Sequence, residues 1–223
     1  MHLSKEDIFN TERIKRLNLI NSITGVKPAN LIGTISNKKE PNLAIFSSVV
    51  HLGSNPALIG FIMRPANNVR RHTYENITEN KYFTINHIHP SFIKKAHYTS
   101  AKFKKGESEF LKCGFNEEYI KGFIAPFVKE SAFKIGMKLH EEINIKSNGC
   151  IMIVGSVEHL IFDENCYNET DGTIDLEQNK NVGIGGLNSY YSLKKINQFE
   201  YARPNNFEMK KYLNFLLFFE CQF

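Results

Sequence analysis

The chain has no tryptophan, and its four cysteines, Cys113, Cys150, Cys166 and Cys221, form no CxxC pair. None of them stands at a zinc-ligand spacing, so a zinc ribbon or a disulfide-stapled module is excluded and the thiols read as free in a reducing compartment. No apolar run approaches the ~20 residues that span a bilayer. Met1-His2-Leu3-Ser4-Lys5-Glu6-Asp7 has no apolar core of a secretory signal. The expectation is a cytoplasmic protein that enters no membrane. There is no GxSxG elbow and no HExxH helix, which removes the usual hydrolase and zinc-protease readings. Gly183-Ile184-Gly185-Gly186 lacks the GxGxxG register and a βαβ setting, so a Rossmann site is not expected.

Charge of one sign is also scarce. Lys plus Arg number 28 against 23 Asp plus Glu, a net +5. That excess is too small and too dispersed for a nucleic-acid partner, although it suits a small anionic ligand. What the chain does have is 42% hydrophobic residues, with 18 Phe and 9 Tyr supplying the large side chains. A chain of 223 residues with that content can bury its own core.

Hydrophobic periodicity sets out the elements. Ser4 followed by Asp7 predicts a helix over about 5–12. Leu17, Leu19, Asn21 and Ile23 alternate with their neighbours and predict a strand ending at Thr24-Gly25. After a break at Lys27-Pro28, strands are expected over 30–36, 43–52 and 58–63, joined by short polar turns. Such short connections require antiparallel pairing, because parallel strands need a long crossover. A helix is expected to start near His72, then a strand over 82–88, then two or three short helices between 90 and 130. Strands resume over 133–139 and 150–162, and Asp171-Gly172 makes a turn. The fold class is α+β, mainly β: an antiparallel Greek key closed, or nearly closed, into a barrel with short flanking helices. The apolar stretch after Pro204 sets a tail over 205–223 apart from a domain over 1–204.

Four segments carry polar chemistry. In Phe46-Ser47-Ser48-Val49 two hydroxyls interrupt an apolar strand, which is costly unless they meet backbone or a ligand edge. Arg64, Arg70, Arg71, His72 and Thr73 gather before a helix start, where free N–H groups and guanidinium groups bind phosphate; a solvated basic loop is the other reading. His87 and His89 share a strand face, yet no third ligand of fitting spacing accompanies them, so they read as pocket or surface histidines rather than metal ligands. Lys94 to Phe103 interleaves basic, aromatic and hydroxyl residues, as a rim over an anionic cofactor or as a solvated helix face.

Read in order, these segments resemble the flavin reductase-like family, whose fold is the FMN-binding split barrel. The matching stretches are 16–25, 27–34, Asn42 to Ser48, Pro56 to Phe61, Arg64-Pro65 with His72-Thr73, Phe83 to Asn86, His97 to Phe103, and Ser108 to Phe110 with Cys113-Gly114. The resemblance implies a homodimer that binds FMN near the subunit interface and takes hydride from NAD(P)H, with a small-molecule donor and acceptor. It implies cofactor contacts from Phe46, Ser47, Ser48, Val49, Arg64, Thr73, Asn86, His97, Ser100 and Lys102, and no catalytic side chain, since the flavin carries the chemistry. A non-enzymatic electron carrier and a flavin-dependent oxygenase would use the same barrel.

Overall fold

A computed structural model describes residues 1–65, 70–104 and 106–203. The chain divides into two compact units, Met1–Leu193 and Lys194–Phe223; of the second, residues 194–203 are described and carry no helix or strand. The tail expected over 205–223 lies outside the described residues.

The first unit begins with α1 (Lys5–Asn10) and α2 (Arg13–Ser22). Ser4 and Asp7 form the expected capping box on α1, each side chain bonded to the other's backbone N–H. At α2 the structure overturns the expected strand over Leu17–Ile23. The carboxylate of Glu12 accepts from the N–H groups of Ile14 and Lys15, at 2.9 and 3.1 Å, and so nucleates a helix. The apolar residues of this segment recur at Ile14, Leu17 and Ile20, a helical spacing that the shorter alternation from Leu17 concealed.

Next come β1 (Lys27–Pro28), β2 (Asn30–Ile35), β3 (Pro41–Phe46), β4 (Val50–Ser54) and β5 (Ala57–Met63). Then follow α3 (His72–Asn80) and β6 (Tyr82–His87). A single 3₁₀ turn at Pro90–Phe92 leads to α4 (Ile93–Tyr98), α5 (Glu109–Cys113) and the short pair β7 (Glu117–Glu118) and β8 (Phe127–Val128). Two long strands, β9 (Lys134–Ile145) and β10 (Cys150–Ile161), form a hairpin; a 3₁₀ turn at Glu164–Cys166 precedes β11 (Val182–Gly185) and β12 (Ser189–Ser192).

Seven strands form one antiparallel sheet in the order β3-β2-β6-β9-β10-β5-β4. Its two edges, β3 and β4, are consecutive in the chain and are joined only by Ser47-Ser48-Val49. Three residues reach at most roughly 14 Å at ~3.5 Å per step, so the edges must approach and the sheet must curl. The β2–β6 and β10–β5 neighbours, far apart in sequence, supply the Greek-key crossings. The single strand expected over 43–52 is thus two strands, parted at the paired serines.

Side chains alternate across β2, so Leu31 and Ile32 enter different cores. Ile32 joins Phe61, Phe83, Ile85, Met137 and Ile153 inside the barrel. Leu31 faces an outer layer with Leu43, Phe92, Ala96 and Phe110, where α4 and α5 pack. Gly155 lies at a bulge in β10, and a Cβ there would stand 2.7 Å from the ring of Phe83. Gly183 and Gly185 lie in β11 and Gly186 in the turn after it: β11 pairs with β12 and with Lys27-Pro28, the segment expected to be a break.

Candidate functional site

The break between β3 and β4 creates one end of the site. Phe46 closes β3 with its ring 5.0 Å from that of Phe61, edge to face. Ser47, Ser48 and Val49 are half-buried and leave the ladder, so their backbone N–H groups have no partner among the described residues. The Ser48 hydroxyl accepts from the N–H of Ile62 at 3.0 Å and donates to the Ile62 carbonyl at 3.3 Å. This bond ties the break to β5 and leaves the backbone donors as the part open to a ligand. Arg64, two residues beyond Ile62, is exposed beside it. Opposite Phe46 in register, Asn30 is buried and its Nδ2 has no partner.

The start of α3 is the second part. Arg71 occupies the position before the helix, and no side chain caps the first turn. The Nε of Arg71 is buried without a hydrogen-bond partner. Among the described residues the first-turn N–H groups of α3 and the Arg71 Nε have no partner, and both favour negative charge. Arg70 is already committed to Glu75. Thr73 turns inward: its hydroxyl accepts from Asn42 at 3.1 Å in a buried network with Thr34 and Asn76, which fixes α3 on the barrel. Tyr74 packs in the same core as Phe46 and Val49. Its phenol donates to Glu142 at 2.8 Å, a bond that raises the Tyr74 pKa.

The other expected residues lie elsewhere. Asn86 is fully buried; its Nδ2 donates to the Leu31 carbonyl and the Thr84 hydroxyl, and its Oδ1 accepts from the Val128 N–H. All of its capacity seen here holds β2, β6 and β8 together. His97, Ser100 and Lys102 form a separate group at the end of α4, which packs on the outer face of the sheet. The His97 Nδ1 is 3.0 Å from the Tyr190 hydroxyl, and burial pushes that phenol up to about 12, so it stays protonated. The Ser100 hydroxyl donates to the His97 carbonyl, and Lys102 is exposed. Within one chain, the Phe46–Val49 segment is tied through Ser48 to Ile62, two residues before Arg64, while Thr73 and Asn86 spend their side chains on buried structural bonds and the α4 group packs on the outer face of the sheet.

His87 and His89 do not pair. His87 stacks on Phe133 at 4.5 Å, and its Nδ1 lies 2.6 Å from the Asn181 Nδ2. Burial pushes its pKa down to about 4. His89 lies outside β6 and caps the 3₁₀ turn through Ser91. Among the described residues no group of three His, Cys, Asp or Glu is placed to hold a metal ion, and no helix is long and apolar enough to cross a membrane. Asn30 and Tyr74 are not visible as site residues in the sequence. Arg71 was visible in the arginine cluster, but which arginine turns inward is a tertiary fact.

Residues 26–174 match the Flavin reductase like domain. The chain belongs to the flavin reductase-like family. A solved split-barrel protein from Shewanella frigidimarina NCIMB 400, a candidate flavin reductase, is 45% identical, with a TM-score of 0.87 over 91% of this chain and 100% of that one. Nitrilotriacetate monooxygenase component B from Bacillus cereus shares the fold at 20% identity, with a TM-score of 0.77 over 90% of this chain and 98% of that one. An uncharacterised protein of Aquifex aeolicus (strain VF5) is 27% identical over 176 residues, 75% of this chain and 84% of its own length. The split barrel expected from the order of motifs is therefore the fold observed, and membership of the flavin reductase-like family supports a flavin-related oxidoreductase role.

Proposed function

We propose that this chain is an NAD(P)H-dependent flavin oxidoreductase that holds FMN as a homodimer, within one domain over 1–204 followed by a separate tail. The observation that carries the reading is the uncapped start of α3 beside the unpaired, buried Arg71 Nε. These donors fit a single phosphate group, and a lone phosphate at the end of a chain distinguishes FMN from FAD.

The residues divide the work. Arg71, Arg64 and the first turn of α3 take the phosphate. The N–H groups of Ser47, Ser48 and Val49 would hold the ring edge of a bound flavin, with the Ser48–Ile62 bonds keeping that stretch in place. Positioned donors of this kind favour a ring that gains negative charge, without reorganising as it does so. His97, Ser100 and Lys102 reach the cofactor from the second copy, which is why one chain leaves them apart. Thr73 and Asn86 act from inside, by holding α3 and β6. When bound, the flavin supplies the two-electron chemistry between the nicotinamide and an acceptor.

Titration of flavin-free protein with FMN and with FAD, followed by flavin fluorescence, tests the cofactor. Tight uptake of FMN and weaker uptake of FAD is the expected result; failure to bind either overturns the reading.

A further inference from the structure

The helices α1 and α2 bury none of their side chains. Along α2 and its C-cap, Ile14, Leu17, Ile20 and Ile23 stand at every third position and are 55, 39, 43 and 67% exposed, while Leu19 between them is partly buried. A helix of ten residues is marginal in water on its own hydrogen bonds, so helices of this length depend on burying an apolar face. A contiguous exposed stripe marks an interaction surface in a way that scattered apolar residues do not. The arm is also stiffened as a unit, because the Arg16 guanidinium donates to the carbonyls of Phe9 and Thr11 across the α1–α2 elbow.

The charge on this helix is one-sided. Arg13, Lys15 and Arg16 lie within it, and no acid does. The same chain carries the complement. Between 163 and 177 stand Asp163, Glu164, Glu169, Asp171, Asp175 and Glu177, with no Lys, Arg or His among them. Tyr167 and Leu176 in that segment are 42 and 45% exposed. Among the described residues no contact between this stripe and the 163–177 segment of the same chain is seen.

We propose that α2 is a clasp that seats its apolar stripe and its cations on the 163–177 segment of a second copy of this chain. A two-fold axis makes the contact twice, since each copy offers both surfaces. The inference rests on the homodimer reading and adds which surfaces hold the dimer.

Sedimentation equilibrium on the full chain tests it. The double variant L17D/I20D places charges in the seam and is expected to raise the dimer dissociation constant about 30-fold or more, the effect of removing a buried interface anchor. R13E/K15E is expected to weaken the dimer as well, and combination with E164K/E169K is expected to restore it. Both positions on α2 are exposed, and an unchanged thermal melt of the barrel confirms that each variant folds. An unaltered dimer in L17D/I20D overturns the clasp while leaving the homodimer standing. Charge reversal without rescue overturns the 163–177 seat. A native chain that stays monomeric overturns both the clasp and the homodimer, and FMN titration reads the cofactor separately.

Discussion

At the scale of single residues, the unpaired groups are the informative ones. A buried guanidinium nitrogen without a partner is costly, and each such group in a native interior calls for an explanation, which the proposed reading supplies as a phosphate. Arg71 is that group here. Arg71→Ala is expected to raise the FMN dissociation constant about 10- to 100-fold, the loss of one charge-assisted hydrogen bond, without lowering the stability of the flavin-free protein. Isothermal titration and a melt of the apoprotein measure the two halves of that statement. His87 gives a second residue-scale expectation. Its pKa is depressed from 6.5 to about 4 by burial, so it stays neutral in the fold while the unfolded chain takes up a proton sooner. Between about pH 6.5 and pH 4 the unfolded state therefore binds more protons, and stability falls as pH falls. A melting profile across that window is expected to show the decline, and His87→Asn is expected to flatten it.

At the scale of elements, connections decide the outcome. The β3–β4 break exists because two edge strands of a closing sheet are joined by three residues. The sequence signal was the pair of serines, which was read as an interruption inside one strand. That they end the strand depends on the bonds from Ser48 to Ile62, a partner fourteen positions away. Most strands, the α3 start and the helical insertion between β6 and β8 were legible, because their periodicity and turns are local. The arm was not, since α2 has two overlapping patterns and only the Glu12 cap chooses between them. β11 and β12 were missed because their short, glycine-rich segment becomes a strand only through pairing with Lys27-Pro28. Of the expected site, the Phe46–Val49 segment was legible as a stretch of polar groups in an apolar strand. The inward turn of Thr73 and the structural role of Asn86 were not, because both follow from which face of an element meets the core. The β10 bulge makes its own prediction. Gly155→Ala forces a Cβ to 2.7 Å from Phe83 and is expected to cost about 1–3 kcal/mol by overpacking, measured by urea unfolding.

At the scale of the whole molecule, the proposed homodimer accounts for expected cofactor contacts that lie on different parts of one chain. The polar groups implied in cofactor contact fall on the barrel end and on the outer α4 face, and a second copy can bring the two together across a dimer seam. The net charge of +5 then has little meaning as a total. Its meaning lies in where Arg64, Arg71 and Lys102 stand, and in the one-signed charge of α2 and of the 163–177 segment that the proposed clasp would join.

The central claim is that this arrangement lets a nicotinamide reduce a bound flavin. Anaerobic mixing of the FMN-loaded protein with NADH and with NADPH, followed at the visible flavin band, tests it most directly. The account predicts rapid bleaching with at least one of the two. A flavin that stays yellow with both contradicts it and leaves a carrier in place of an enzyme.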